Sequence, residues 1–263
     1  MPTREKLAYY LQHPSELLRR AANEIDGFYP RAVPYSEPEK LFQIALFFRE
    51  SGLIKPGDLV FDIGANIGTL TWVFLAAGAE VVSVEPNPKC VNYLRRTYAR
   101  NLHHRIVASG LASQPGNLTL HYYPDRSEFG AFETTPSIAG PRSRRLRITR
   151  NVPVVTFDQL IKDYGIPAFA KIDVEGFELE VLQGLSQPIP TLSLEYHIDT
   201  LDTTRKCLTH LKSLGEYRFN FCYRAIYEFC ISDWLEVDAV LSAMEARRPN
   251  DPKTWGDLYA RLV

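Results

Sequence analysis

The stretch Phe61-Asp62-Ile63-Gly64-Ala65-Asn66-Ile67-Gly68-Thr69 decides how this chain is read. Leu59-Val60-Phe61-Asp62-Ile63 is a short apolar run, predicted as a strand, and residues 67–77 are predicted as a helix. Glycine at such a joint lets the backbone approach a ligand closely, because no Cβ intrudes. Doubly wound sheets bind their ligands there, at the carboxyl ends of strands. The spacing is Gly-x-x-x-Gly with Asp62 two residues before the first glycine, not the Gly-x-Gly-x-x-Gly of a dinucleotide fold. An acid at that strand end repels a pyrophosphate and suits a positively charged group such as an ammonium.

Working outward, residues 80–85 are predicted as a second strand, 88–100 as a helix and 105–108 as a third strand. This β-α-β-α-β order argues for parallel strands covered on both faces. Glu85 ends the second strand, 23 residues past Asp62, and Pro86-Asn87 turn the chain sharply. A carboxylate so placed accepts both hydrogens of a ribose diol. The site therefore asks for a nucleoside with a cationic head, a description that S-adenosylmethionine meets. Further along, strands are predicted over 118–122 and 146–155, with a long polar connection over 124–144. A helix over 157–164, a strand over 168–173, a helix over 177–183 and a strand over 191–196 follow. Residues 219–223 and 225–231 read as a closing antiparallel pair, and 234–247 and 254–262 as final helices. Ahead of the first strand, residues 3–23 read as helix broken at Pro14, 27–37 as loop and the residues from Glu37 onward as another helix.

Three blocks resemble the FkbM family of class I S-adenosylmethionine-dependent methyltransferases: VFDIGANIGTLT (60–71), VVSVEPNP (81–88) and VPVVTFDQLIKDYGIPAFAKIDVEGFELEVLQGL (152–185). Lys171-Ile172-Asp173-Val174-Glu175-Gly176 is the core of the last, and Leu192-Ser193-Leu194-Glu195-Tyr196-His197 resembles the family's Glu-x-His segment. The resemblance runs from about residue 37 to 200. It implies an α/β, Rossmann-like fold: a mostly parallel seven-stranded sheet flanked by helices, with an N-terminal helical extension. Residues 1–55 are expected as a helical cap region and 56–263 as the methyltransferase domain. The resemblance further implies that Asp62, Gly64, Asn66, Gly68 and Thr69 cradle the methionine end, that Glu85, Pro86 and Asn87 serve the ribose, and that Gly110-Leu111-Ala112-Ser113 flank the adenine. Gln114 stands where many relatives carry an acid.

The implied reaction is an O-methylation of a sugar or secondary-metabolite hydroxyl, which requires alignment of the acceptor and removal of its proton. Lys171, Asp173 and Glu175 alternate at one strand end and should face one side, as should Glu195 and His197 on the next strand. In a class I methyltransferase the fourth strand lies between the first and the fifth, which gathers all five groups. His197 is the first candidate for general base, its unperturbed pKa of ~6.5 suiting neutral pH. Glu175 is the second, Asp173 is read as orienting the cofactor's ammonium, and Lys171 as pairing with a carboxylate or lowering the hydroxyl's pKa. A purely structural Lys171–Glu195 pair with His197 as a cap is the plainer use of the same residues. A divalent metal on Asp173, Glu175, Glu195 and His197 is a further use; carboxylates beside a sulfonium need no metal, and none is assigned. Arg142, Arg144, Arg145, Arg147 and Arg150 read as a solvated hairpin face before an acidic-acceptor site. Tyr9, Tyr10, Phe28, Tyr29 and Tyr35 are candidates to roof the acceptor pocket.

Composition closes off other classes. The chain has 263 residues, 30 Lys and Arg against 31 Asp and Glu, and no global charge to draw nucleic acid or an anionic membrane. Cys90, Cys207, Cys222 and Cys230 form no CxxC pair, and scattered thiols suit a reducing cytosol. MPTREKLAYYLQ lacks the apolar core of a signal peptide, and no apolar run nears the ~20 residues of a membrane helix. The expectation is a cytoplasmic enzyme with a small-molecule or glycan acceptor. Its oligomeric state is not legible. The competing readings are a non-catalytic S-adenosylmethionine-binding module and an NAD-dependent oxidoreductase, the latter opposed by Asp62 and the glycine spacing.

Overall fold

The computed structural model describes residues 38–123, 126–132, 148–224, 227–247 and 254–263. The N-terminal aromatic candidates and Arg142, Arg144, Arg145 and Arg147 lie outside them, as do the helices expected before residue 24. Helix α1 (Pro38–Glu50) leads into β1 (Leu59–Ile63), α2 (Thr69–Ala76), β2 (Glu80–Val84), α3 (Pro88–Thr97) and β3 (His104–Val107). Strands β4 (Gly110–Leu111), β5 (Gly116–Tyr123), β6 (Arg126–Phe132) and β7 (Ile148–Val155) follow, then α4 (Phe157–Tyr164), β8 (Phe169–Ile172), α5 (Glu178–Gln183) and β9 (Thr191–His197). Helix α6 (Leu201–Leu214), β10 (Tyr217–Tyr223), α7 (Val237–Ala246) and β11 (Trp255–Leu262) complete the described chain.

The main sheet has seven strands in the order β10-β11-β9-β8-β1-β2-β3. Strands β3, β2, β1, β8 and β9 run parallel, as the apolar runs predict, and β11 enters antiparallel to both β9 and β10. The order reverses at β1, whose neighbours are β2 and β8. That reversal opens a crevice beyond the carboxyl ends of β1 and β2. Strand β1 is buried on both faces: Phe61 and Ile63 join one core cluster and Val60 the other. Burying each such side chain stabilises the fold by roughly 1.5–3 kcal/mol. Helix α1 places Leu41, Ile44, Ala45 and Phe48 in the second cluster, where the Phe48 ring meets Phe74 and Phe169 at 5.1 and 5.4 Å.

Several expectations change. Residues 254–262 are strand β11, not a helix, and β11 rather than 225–231 is the partner of β10. Alternation explains the difference: Leu258 and Ala260 point into one core cluster and Tyr259 into the other, a period of two. Residues 227–231 form bends, and Cys230 N–H reaches the Phe221 carbonyl at 2.9 Å. Helix α6 was not anticipated, although Thr204, Cys207, Leu208 and Leu211 are buried at helical spacing. The connection expected over 124–144 contains β6, which pairs with β5. Strands β4, β7, β5 and β6 make a second, four-stranded sheet. Its Leu111, Leu120, Phe132, Val152 and Val154 join the larger core cluster, and Leu111, Leu120 and Phe132 wall one side of the crevice.

Candidate active site

The crevice at the reversal is a cleft of about 990 Å³. The β1–α2 turn forms its floor. Gly64 has φ +84°, and its N–H bonds the Val84 carbonyl of β2 at 2.9 Å. A Cβ at Gly64 would stand 1.8 Å from the Asp173 carbonyl oxygen, and one at Gly68 would stand 2.6 Å from Leu94 Cδ2. Both glycines are therefore demanded by the protein's own packing. Gly64 lines the cleft; Gly68 is not among its lining residues.

Asp62 is almost fully buried and accepts a hydrogen bond from Thr71 Oγ1 at 2.5 Å. Thr71 continues to Ser83 Oγ at 2.7 Å and Ser83 to His104 Nε2 at 2.8 Å, tying β1, α2, β2 and β3 together. Burial pushes Asp62 up to about 6, against the Thr71 bond and the Lys171 charge. Glu85 stands just past β2. Its Oε2 accepts the Asn66 N–H at 2.8 Å and its Oε1 the Asn87 N–H at 2.7 Å. Burial nevertheless raises it to about 7. Asn66 takes a left-handed conformation, φ 50°, and its Oδ1 accepts from Cys90 Sγ at 3.3 Å. Asn87 caps α3 through Lys89 N–H at 3.1 Å, with Pro88 opening the helix. Pro86, Thr69 and Leu111 also line the cleft.

Beside this floor lies the second cluster. Lys171 and Asp173 face one side, 3.2 Å apart, as alternation requires. Glu175 does not continue the alternation: β8 ends at Ile172, and Glu175 sits in a tight turn with φ 57°, followed by Gly176 at φ 96°. The turn still brings it within electrostatic reach of Glu195, Asp173, Glu178 and His197, and burial, then those carboxylates, raise it to about 8. The structural Lys171–Glu195 pair is replaced: Lys171 Nζ lies 2.8 Å from Asp257 Oδ1 on β11. Burial works against the Lys171 charge, but Asp173, Asp257 and Glu195 outweigh it and hold the ammonium well above its ordinary range. That excludes Lys171 as a proton acceptor near neutrality. His197 Nε2 lies 3.5 Å from Glu195 Oε2, and this bond raises the imidazole above its ordinary value. Glu195 lines the cleft, whereas His197 is not among the lining residues.

Sequence reasoning missed Asp257, Trp255 and Tyr227, which line the cleft beside Glu175 and Glu195. Asp257 stands opposite Glu195 in the β11–β9 register, and Trp255 opposite His197. No local pattern marked them: β11 carries apolar groups on both faces, so its sequence shows little alternation, and Tyr227 lies outside any strand. Lys89 and Arg96 of α3 line the far rim. Among the described residues, no group of three or more His, Cys, Asp or Glu is arranged to hold a metal ion. No helix among them is long and apolar enough to cross a membrane.

The fold is that of the class I methyltransferases: parallel strands reversing at β1 and a final antiparallel strand slotted beside β9. Residues 62–215 match the methyltransferase FkbM domain, and the chain belongs to that family. It is 28% identical over 157 residues to the hexuronic acid methyltransferase AglP of Haloferax volcanii, covering 56% of this chain and 60% of that protein. It is 26% identical over 172 residues to the 31-O-demethyl-FK506 methyltransferase FkbM of Streptomyces tacrolimicus, covering 56% of this chain and 66% of that one. The match thus spans less than two thirds of either relative. Among solved structures, a Bacillus cereus O-methyltransferase in complex with S-adenosylhomocysteine is similar at TM-score 0.45 and 11% identity, over 94% of this chain and 91% of that one.

Proposed function

We propose that the protein is an S-adenosylmethionine-dependent methyltransferase acting on a hydroxyl of a sugar or secondary-metabolite acceptor. One observation carries the reading: six carboxylates line a single cleft, Asp62, Glu85, Asp173, Glu175, Glu195 and Asp257, with one buried cation, Lys171, among them. Such a lining suits a ligand with positive charge and repels the pyrophosphate of NAD. When bound, S-adenosylmethionine supplies a methyl group on a positively charged sulfur. Glu85, between two backbone donors, keeps free lone pairs for a ribose diol. Gly64, Asn66, Thr69 and Asp62 form the wall for the methionine end, with Pro86, Asn87 and Leu111 on the nucleoside side. Asp173 would hold the ammonium.

The acceptor side is the wall of Glu175, Glu195, Trp255 and Tyr227, where a flat apolar ring face can stack on the indole. The two curated relatives are named for a hexuronic acid and for 31-O-demethyl-FK506, which supports an oxygen-rich acceptor. The acceptor's proton leaves its hydroxyl for the Glu195–His197 pair, Glu195 reaching the cleft and the half-exposed imidazole handing the proton to water. Glu175 is the alternative base. Residues 1–55 are proposed as a helical cap region.

The test incubates the protein with methyl-labelled S-adenosylmethionine and a panel of uronic acids and polyhydroxylated macrocycles. Label that enters product and resists mild alkali marks an ether and supports the reading. Label lost to alkali marks an ester and overturns the hydroxyl assignment. His197→Ala should lower kcat by about 10²–10⁴.

A further inference from the structure

Asp257 lies on the last strand, outside every block that carries the family resemblance. Lys171 Nζ sits 2.8 Å from Asp257 Oδ1 and 3.2 Å from Asp173 Oδ2. The side chains of Lys171 and Asp257 are 3% and 7% exposed, while that of Asp173 is 36% exposed toward the cleft. One cation shared between two carboxylates leaves one net negative charge, and only Asp173 of the three presents it to solvent. Without Asp257, Lys171 would have Asp173 as its sole close counter-ion, and the pair facing the cleft would be neutral. The remaining charged groups of this wall, Asp62, Glu175 and Glu195, come from three other elements and are within electrostatic reach of the triad.

We propose that Asp257 is a positioning residue: by sharing Lys171's charge it leaves the cleft-facing side of the triad net negative, so that the cleft prefers a charged sulfonium to the neutral thioether left after transfer. This rests on the S-adenosylmethionine reading and adds to it a means of product release. S-adenosylmethionine and S-adenosylhomocysteine share ammonium, carboxylate and nucleoside, and differ by the methyl and the charge on sulfur. A negative charge on this wall attracts both through the ammonium and the first additionally through its sulfonium. Methyl transfer would then weaken the very attraction that held the cofactor.

The experiment measures the dissociation constants of both ligands, by calorimetry, for the wild type, Asp257→Asn and the double variant Lys171→Met/Asp257→Asn. Asp257→Asn is predicted to weaken both ligands through the ammonium they share, and S-adenosylmethionine about tenfold more than S-adenosylhomocysteine, a change in their ratio of about 1.4 kcal/mol. The double variant again carries one net negative charge, on Asp173, and is predicted to recover the wild-type ratio. Replacing a buried ion pair by neutral groups is commonly tolerated, so the double variant keeps the test open if Asp257→Asn fails to fold. A merely structural Asp257 predicts the opposite order, with the double variant further from wild type than the single. An unchanged ratio in Asp257→Asn, or a ratio shifted toward the homocysteine in the double variant, overturns the proposal. A wild type that binds neither ligand overturns the cofactor reading itself.

Discussion

Glu85 and Glu175 show how one residue type serves two ends of a site. Glu85 is fixed by two backbone N–H groups, at 2.8 and 2.7 Å. In Glu85→Gln one of those donors would face an amide NH₂ and lose its acceptor. The expected cost is about 1–3 kcal/mol, read as a melting temperature several degrees lower, together with weaker nucleoside binding. Glu175 is fixed by a strained turn and is raised from an ordinary 4.5 to about 8, by burial first and by Glu195 and Asp173 after it. In that window the folded state keeps a proton that the unfolded chain has lost. Stability therefore falls as pH rises from 4.5 to about 8, the reverse of an ordinary ion-paired carboxylate. Thermal melts of the ligand-free protein should show this slope, and Glu175→Gln should lessen it, Asp62 and Glu85 supplying the remainder. A slope equal in the variant would mean that Glu175 does not titrate in this range.

At the scale of elements, the β1–α2 turn and β11 are the instructive pair. The turn was legible because its glycines stand between a short apolar strand and a helix, yet the reason for those glycines was not. It lies in contacts made 26 and more residues away, with the Asp173 carbonyl and with Leu94 and Tyr98. Gly64→Ala should therefore destabilise the protein by about 3 kcal/mol or more, combining a positive φ with a backbone clash. Gly116→Ala, where nothing lies within 4 Å of the added Cβ and no positive φ intervenes, should change the melting temperature by little. Denaturant titrations of the two variants check the contrast. Strand β11 was misread because an eight-residue segment with apolar groups on both faces carries little periodicity of its own. Only its place between β9 and β10 makes it a strand, and non-local pairing of that kind leaves no local mark. The five parallel strands and the polar residues at their ends were readable. Asp257 and Trp255 were not, because they arrive on β11. Glu175 was found by its neighbours in the motif and placed by a turn that alternation does not foresee.

Over the whole molecule, formal charges nearly cancel, with 30 basic and 31 acidic residues, so the field that matters is local. The fold concentrates Asp62, Glu85, Asp173, Glu175, Glu195 and Asp257 in one cleft. Burial raises five of them: Asp62 to about 6, Glu85 to about 7, Glu175 to about 8, and Glu195 and Asp257 upward. A cationic ligand binds the ionised forms better, so its entry must expel protons near neutrality. The measurement that tests this most directly is calorimetric titration of the protein with S-adenosylmethionine at pH 6 and pH 8, in buffers of different ionisation enthalpy. The account predicts saturable binding that is tighter at pH 8, with protons released to the buffer. Binding that is absent, or that weakens as pH rises, would contradict it.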